Sequence, residues 1–290
     1  MLWVATLCAQ AQFIYTTFSV SGAVGTYANS ISGNNIVGRY ATGSTWYGFI
    51  YNGSGCTTLD VPGSTYTFAW GISGNNIVGS YGVANGPGYG FLYNGSSYTS
   101  LNVPGASITD ANGISGNNIV GDYFFNNGSI YGYNGFLYNG SSYTTIAVPS
   151  AGSTSAMSIS GNNIVGVYGA YGNENNAFLY NGTSYTTIDV PGASSTYAYG
   201  ISGNDVVGAY FDGTTYHGFL YNGSSYTTLN VPGASSTSAI GIDGNTIVGY
   251  CYIGGGIESF IATPVPEPSL LALLIVGAGT LLSRRRCCDL

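Results

Sequence analysis

The phrase GISGNNIVG, or a near copy, occurs six times, centred on Ile31, Ile72, Ile114, Ile159, Ile201 and Ile242. The spacings are 41, 42, 45, 42 and 41 residues. A period of this size means that each unit is one supersecondary element. Such a unit cannot bury its apolar face alone and must stack on copies of itself. A second phrase, typified by GFLYNGSSYTTLNVPGAS, alternates with the first, with Phe49, Phe91, Phe136, Phe178 and Phe219 at its head and a worn copy at Phe260. Tyr15–Ile31 (YTTFSVSGAVGTYANSI) aligns without gaps to Tyr226–Ile242 (YTTLNVPGASSTSAIGI), so six units fill residues 12–263.

Each unit reads as four short strands. In the fifth copy these are AYGIS (Ala198 to Ser202), VVGAYF (Val206 to Phe211), HGFLY (His217 to Tyr221) and YTTLNV (Tyr226 to Val231). Aromatic and β-branched residues favour strands, and the 47 glycines and recurrent Asn-Gly pairs supply tight turns. Asn-Gly between the last two strands predicts a two-residue hairpin with positive φ. Four antiparallel strands in 41 to 45 residues is the size of a β-propeller blade. Blades converge on an axis, so the innermost strand must be narrow. Ala28, Ala69, Ala111, Ala156, Ala198 and Ala239, each followed two residues later by Gly or Ser, place the first strand there. YTTLNV is then outermost, and VPGAS crosses to the next unit. The last unit lacks its fourth strand, and the chain start, FIYTTFSV (Phe13 to Val20), matches the missing one. The expected fold is therefore all-β: a closed six-bladed β-propeller, its last blade completed by the N-terminal strand. An open β-solenoid is the alternative.

The chain is 290 residues long with 5% charged residues and a net charge of −7. Nine acids in the repeats face one arginine, Arg39. With nothing to neutralise phosphates, nucleic-acid binding is excluded, and no polybasic patch holds the repeats to anionic lipid. Residues 1–11 (MLWVATLCAQA) form an apolar run ending in Ala9-Gln10-Ala11, a small-x-small pattern expected of a truncated signal peptide; the alternative is a first β-strand. Cys56 and Cys251 are the two cysteines of the repeats, and are candidates either for one bridge or for two free thiols.

The remaining positive charge sits at the end. After a Pro-rich linker, 264–269, comes an apolar segment, 270–283, followed by a basic tail, 284–290, with Arg284, Arg285 and Arg286. A polar face, which an amphipathic capping helix would need, is missing from this segment. A short transmembrane helix is expected, held at the inner membrane by the arginines, which resist translocation.

Val265-Pro266-Glu267-Pro268-Ser269, the apolar run and the arginine cluster together resemble the PEP-CTERM sorting signal of exopolysaccharide-producing Gram-negative bacteria. The resemblance implies an exported protein processed by an exosortase-type enzyme. Pro266, Glu267 and Pro268 would be the sorting motif and Arg284, Arg285 and Arg286 the retention cluster; the final CCDL departs from the usual ending. Asn176–Tyr210 (NAFLYNGTSYTTIDVPGASSTYAYGISGNDVVGAY) is similar to the HAF-type extracellular repeats of bacteria, with Asn176-Ala177-Phe178 at the lead-in. That likeness implies export and assigns no activity.

Catalytic and metal-binding patterns are sparse. One histidine, His217, provides no zinc cluster, and neither a nucleophile elbow nor an EF-hand pattern occurs. GPGYG (Gly86 to Gly90) lacks the helix that a phosphate loop needs. Asp110, Asp122, Glu174 and Asp212 occur at unrelated repeat positions and are read as singletons. No catalytic residue, metal or cofactor is expected. Asn-x-Ser/Thr triplets at Asn52, Asn94, Asn139, Asn181 and Asn222 follow from turn geometry rather than glycosylation. Binding surface is better supported. One position of the inner strand varies freely (Asn29, Trp70, Asn112, Met157, Tyr199, Ile240), as does the residue two before it (Tyr27, Phe68, Asp110, Ser155, Tyr197, Ser238). Variation on a constant frame marks a binding face. With Trp46 and Tyr89 from the connections after the second strand, the candidate contacts are Trp70, Tyr197, Tyr199, Trp46, Tyr89 and Asn112. Flat aromatics beside Asn and Ser suit sugars. The expected function is a non-enzymatic surface or matrix protein binding exopolysaccharide; a propeller hydrolase or lyase is the alternative.

Overall fold

The computed structural model describes residues 13–126, 128 and 131–265. Among these, twenty-four strands and no helix occur, so no helix is long and apolar enough to cross a membrane. The expected leader (1–11), Pro266, Glu267, Pro268, the apolar span 270–283 and Arg284, Arg285 and Arg286 lie outside the described residues.

The strands group as expected into antiparallel sheets of four, in sequence order. In the third repeat these are Ile108–Ser115, Asn118–Asn126, Tyr131–Tyr138 and Tyr143–Ile146. The first two repeats share one eight-stranded sheet, but a single parallel pair, Trp46 opposite Tyr66, joins the halves. In the last sheet Phe13–Phe18 pairs antiparallel with Gly256–Pro264, with Phe13 opposite Pro264 and Phe18 opposite Ser259. The chain start thus supplies the outer strand that the final repeat lacks, and two open sheet edges are removed.

The turns explain the repeated phrases. Ser73 pairs with Asn76 across Gly74 and Asn75, and Gly74 has φ +59°. Glycine first in a two-residue loop is the type II′ requirement. Val61-Pro62-Gly63-Ser64 is a type II turn, closed by Ser64 N–H donating to Val61 O at 3.0 Å with Gly63 at φ +79°. The crossing is then fixed to the next inner strand, because Val61 N–H donates to buried Thr67 Oγ1 at 3.0 Å. The same bond joins Val20 to Thr26, tying the N-terminal strand to the first repeat. The Asn-Gly connections differ from the two-residue hairpin expected. Asn94 to Ser97 form a four-residue loop between paired Tyr93 and Tyr98, and only Gly95 has positive φ. Asn94 Oδ1 accepts from the N–H groups of Ser96 and Ser97 at 3.0 and 2.9 Å, so the side chain itself closes the loop.

The core lies between neighbouring repeats. Val78 and Leu101 of the second pack with Ala111, Ile114, Ile119 and Phe136 of the third. Val248 of the last packs with Ala28, Ile31, Ile36 and Phe49 of the first. A belt of hydrogen bonds follows the same circuit. Gly74 N–H donates to Ser32 Oγ of the preceding repeat at 3.1 Å, and Gly33 N–H donates to Asp243 Oδ2 at 2.7 Å across 210 residues of sequence.

Cys56 and Cys251 are both free, which resolves the cysteine alternative against a bridge. Cys56 is exposed at the start of an outer strand of the first repeat. Cys251 is buried on the second strand of the last, where other repeats carry tyrosine.

Candidate functional site

Every inner strand carries a β-bulge at the same place. In the first repeat Ala28 pairs with Gly38 and Ser30 with Val37, leaving Asn29 out of the ladder. The residues skipped in the other repeats are Trp70, Asn112, Met157, Tyr199 and Ile240. These are the freely varying positions of the repeat. The bulge pushes a backbone carbonyl against the second strand, which explains the glycine of each IVG triplet. A Cβ on Gly121 would collide with Asp110 O and would lie 2.8 Å from Phe136 Cε1. Glycine makes room for the bulge, and the bulge turns one side chain out of the sheet.

All six bulge residues line one cavity of about 570 Å³. A second ring of lining residues comes from the strands behind them. It includes Phe68, Asp110 and Ser155 from the inner strands, and Arg39, Ser80, Asp122, Val167 and Tyr250 from the second strands. Those second-strand residues all follow the IVG glycine directly. The sequence signal was available there: the residue varies as Arg, Ser, Asp, Val, Ala and Tyr after a triplet that reads Ile-Val-Gly in five copies and Val-Val-Gly in one.

One wall is cationic. Arg39 Cζ lies 4.5 Å from the Trp70 ring centroid, 4.9 Å from Tyr27, 5.4 Å from Phe68 and 5.8 Å from Trp46. Such contacts are worth about 0.5–2 kcal/mol each, depending on desolvation. Burial pushes the guanidinium pKa down, only partly offset by the Tyr250 and Tyr27 hydroxyls. Among the described residues no carboxylate lies within ion-pair distance of Arg39; His217–Asp212 is the pair formed.

Another part of the wall is acidic. Asp110 and Asp122 are directly paired across the first two strands of the third repeat. The reading of these two as singletons is thereby corrected: strand pairing brings together residues twelve apart in sequence that occupy different repeat positions. Asp122 is 8% exposed. Burial, then the neighbouring Asp110, raises its pKa to about 8, while hydrogen bonds from Asn112 and Ser155 pull the other way. Burial also raises Asp110, with Ser80 opposing. Like charges this close cannot both ionise at low cost, so the pair holds a proton near neutrality. Asn112 Nδ2 donates to Asp122 Oδ2 at 2.7 Å and to Ala156 O at 3.1 Å, while Trp70 Nε1 donates to Ser80 Oγ at 2.9 Å.

Of the residues singled out from sequence, Trp70, Tyr199 and Asn112 line the cavity. Trp46 stands behind it, edge-on to Phe68 at 5.8 Å. Tyr197 stacks on Tyr199 at 6.1 Å and donates to Asn175 Oδ1 at 2.9 Å. Tyr89 packs on Tyr81 at 5.5 Å, away from the cavity lining. Asp110, Asp122, Tyr133 and Ser155 also line an adjoining hollow with Tyr171 and Glu174, and Tyr131 stands edge-on to Tyr171 at 5.1 Å. His217 lies outside the cavity, bonded to Asn230 Oδ1 and Asp212 Oδ2 at 3.0 Å each. Among the described residues no group of three metal-binding side chains gathers.

No protein-family model matches the chain, and no curated protein matches its sequence. Its fold is similar to that of SapL1 lectin in complex with α-methyl fucoside, at 16% identity and TM-score 0.54, over 86% of this chain and 98% of that one. A mutant of AofleA from Arthrobotrys oligospora gives 12% identity and TM-score 0.54, over 88% and 91%. The β-propeller domain of the Trilobed protease from Pyrococcus furiosus, described as having an open velcro topology, gives 10% identity and TM-score 0.51, over 84% and 96%. Likeness at these identities assigns the β-propeller fold and no activity.

Proposed function

We propose that this chain is an exported, non-enzymatic carbohydrate-binding protein whose repeats close as a six-bladed propeller around an axial binding cavity. One observation carries the reading: the residue that varies freely in each repeat is the bulge residue, and all six such residues line the same cavity. Indole and phenol rings offer flat faces for the apolar side of a sugar. Asn29, Asn112, Ser80, Ser155 and the carboxyl pair offer hydrogen bonds to hydroxyls. The volume falls within the ordinary range for small-molecule sites. SapL1 holds α-methyl fucoside on a similar fold, a precedent for the architecture and not for the site. Six inner strands, each linked to the next by the Gly–Ser belt and the last to the first through Asp243, support the closed count.

Export and sorting rest on the C-terminal motif. In an exosortase-bearing Gram-negative host, replacing Pro266, Glu267 and Pro268 by alanine is expected to leave the protein in the membrane fraction while the unaltered chain is released. Equal release of both would remove the sorting reading. The binding reading is tested on a glycan array with the purified full-length chain and its Trp70→Ala variant. Saturable capture of a glycan, weakened in the variant, supports it; no capture, or equal capture, contradicts it.

A second reading has one observation in its favour. The Asp110–Asp122 pair, with one proton between two carboxyls, has the make-up of a general acid and its partner in glycoside cleavage. Incubation of captured glycan with the chain decides between the readings. New reducing ends, lost in Asp122→Asn, would establish a hydrolase, whereas unchanged glycan leaves the binding reading.

A further inference from the structure

Arg39 is the one arginine of the repeats, in a protein without lysine. Its guanidinium faces a cavity, enclosed by the rings of Tyr27, Trp46, Phe68 and Trp70, with its Cζ 4.5 Å from the nearest ring centroid. No carboxylate reaches it among the described residues, although acids are available to this chain. The repeat geometry could have supplied one directly. Its cross-strand neighbour is Tyr27, whereas the equivalent pair two repeats on is Asp110 and Asp122. A desolvated cation costs free energy unless it is paired. Aromatic faces soften that cost but offer no acceptor for its five N–H donors. A planar, forked donor set facing open volume is what recognises a carboxylate in two-point fashion.

We propose that the cavity takes an acidic saccharide, with the carboxylate of a uronic acid residue on Arg39 and its ring hydroxyls directed to Asn112 and the Asp110–Asp122 wall. This rests on the carbohydrate-binding reading and deepens it. The cation and the carboxyl pair line the same cavity with Trp70 and Ser80 between them, Trp70 lying against Arg39 and Ser80 bonding Asp110. A neutral sugar would leave the guanidinium unpaired, and a small inorganic anion would leave Asn112 and the carboxyl pair unused. Asn112 is already oriented by its bonds to Asp122 and Ala156, so the polar wall is set before a ligand arrives.

Calorimetric titration of the full-length chain with trimers of galacturonate, glucuronate, mannuronate and guluronate, each beside its methyl ester, tests this. Esterification removes the charge and keeps the sugar. At least one uronide is expected to bind, its ester about 10- to 100-fold more weakly, the range for losing a charge-assisted hydrogen bond. Arg39→Gln should erase the difference between acid and ester, and Arg39→Lys should retain part of it. Circular dichroism on both variants confirms the fold. Esters bound as tightly as acids, or an unchanged preference in Arg39→Gln, would overturn the uronate assignment while the sugar-binding reading stands. Binding of neither class would overturn both. Inorganic sulfate competing as well as the uronide would reduce the site to a general anion pocket and overturn the assignment.

Discussion

Replacing Asp122 by asparagine should invert the usual cost of altering a buried residue, with the sign set by pH. Asp122 is buried beside Asp110, and its carboxyl pKa is raised to about 8. In the unfolded chain an aspartate titrates near ~4. Between these values the native chain keeps a proton that the unfolded chain has lost, so native stability falls as pH rises. One retained proton gives a slope of about 1.4 kcal/mol per pH unit. A smaller pKa shift would narrow the pH window and leave that slope unchanged. For a domain of this size that slope corresponds to about 3–6 °C in Tm per pH unit. Asparagine is isosteric with the protonated acid and can still accept from Asn112. The variant should match the wild type near pH 5 and exceed it by about 3–4 kcal/mol at pH 8. Partial burial lowers the His217 pKa, but its bonds to Asn230 and Asp212 outweigh this and raise it. Its contribution is present at low pH and is also lost as pH rises, but it is common to both proteins and cancels in the difference. Thermal unfolding from pH 5 to 9 at fixed ionic strength measures this. Parallel curves for the two proteins would refute the proton-holding pair.

Three further outcomes are expected. Gly208→Ala places a Cβ against Tyr197 O and 2.7 Å from Phe219 Cε1, at a bulge where neither partner can move aside; a loss of about 3 kcal/mol or more in chemical denaturation is expected, and a loss under about 1 kcal/mol would contradict the bulge packing. Asp243→Ala breaks the belt bond from Gly33 and should cost about 1 kcal/mol, whereas Asp243→Ser, the residue at this place in the other repeats, should be near neutral in the same assay. In peptide-mapped alkylation Cys56 should react in the native protein, and Cys251, buried with its thiol pushed up to about 11, only after unfolding; early modification of Cys251 would place it wrongly.

The period of the repeats carried most of the fold, because a one-residue change in register would reverse every side chain of a strand. The narrow inner strand, the strand order and the pairing of Phe13–Phe18 with the last repeat were all readable from Ala, Gly and the gapless N-terminal match. The varying inner position was readable too, though not the bulge that aims it into the cavity. That bulge follows from a glycine on the neighbouring strand, and so is a property of two segments together. Arg39 and Asp122 were missed as a set for the same reason. Their position varies as freely as that of Trp70, but it lies in a phrase that reads as a buried strand. Asp110 and Asp122 become a pair only once the register is known. The Asn-Gly loops show the converse: the residues marked a turn correctly, but the Asn94 side chain selected a longer loop than the dipeptide suggested.

On the proposed function, the bulge residues surround a binding cavity on the axis. The chain has two methionines, Met1 and Met157, and the second is one of those residues. Labelled with ¹³C at the methionine methyl and titrated with the oligouronide that binds in calorimetry, the protein should show a saturable shift of the Met157 resonance with the calorimetric affinity. Saturable binding with that resonance unmoved would put the ligand elsewhere and contradict the account.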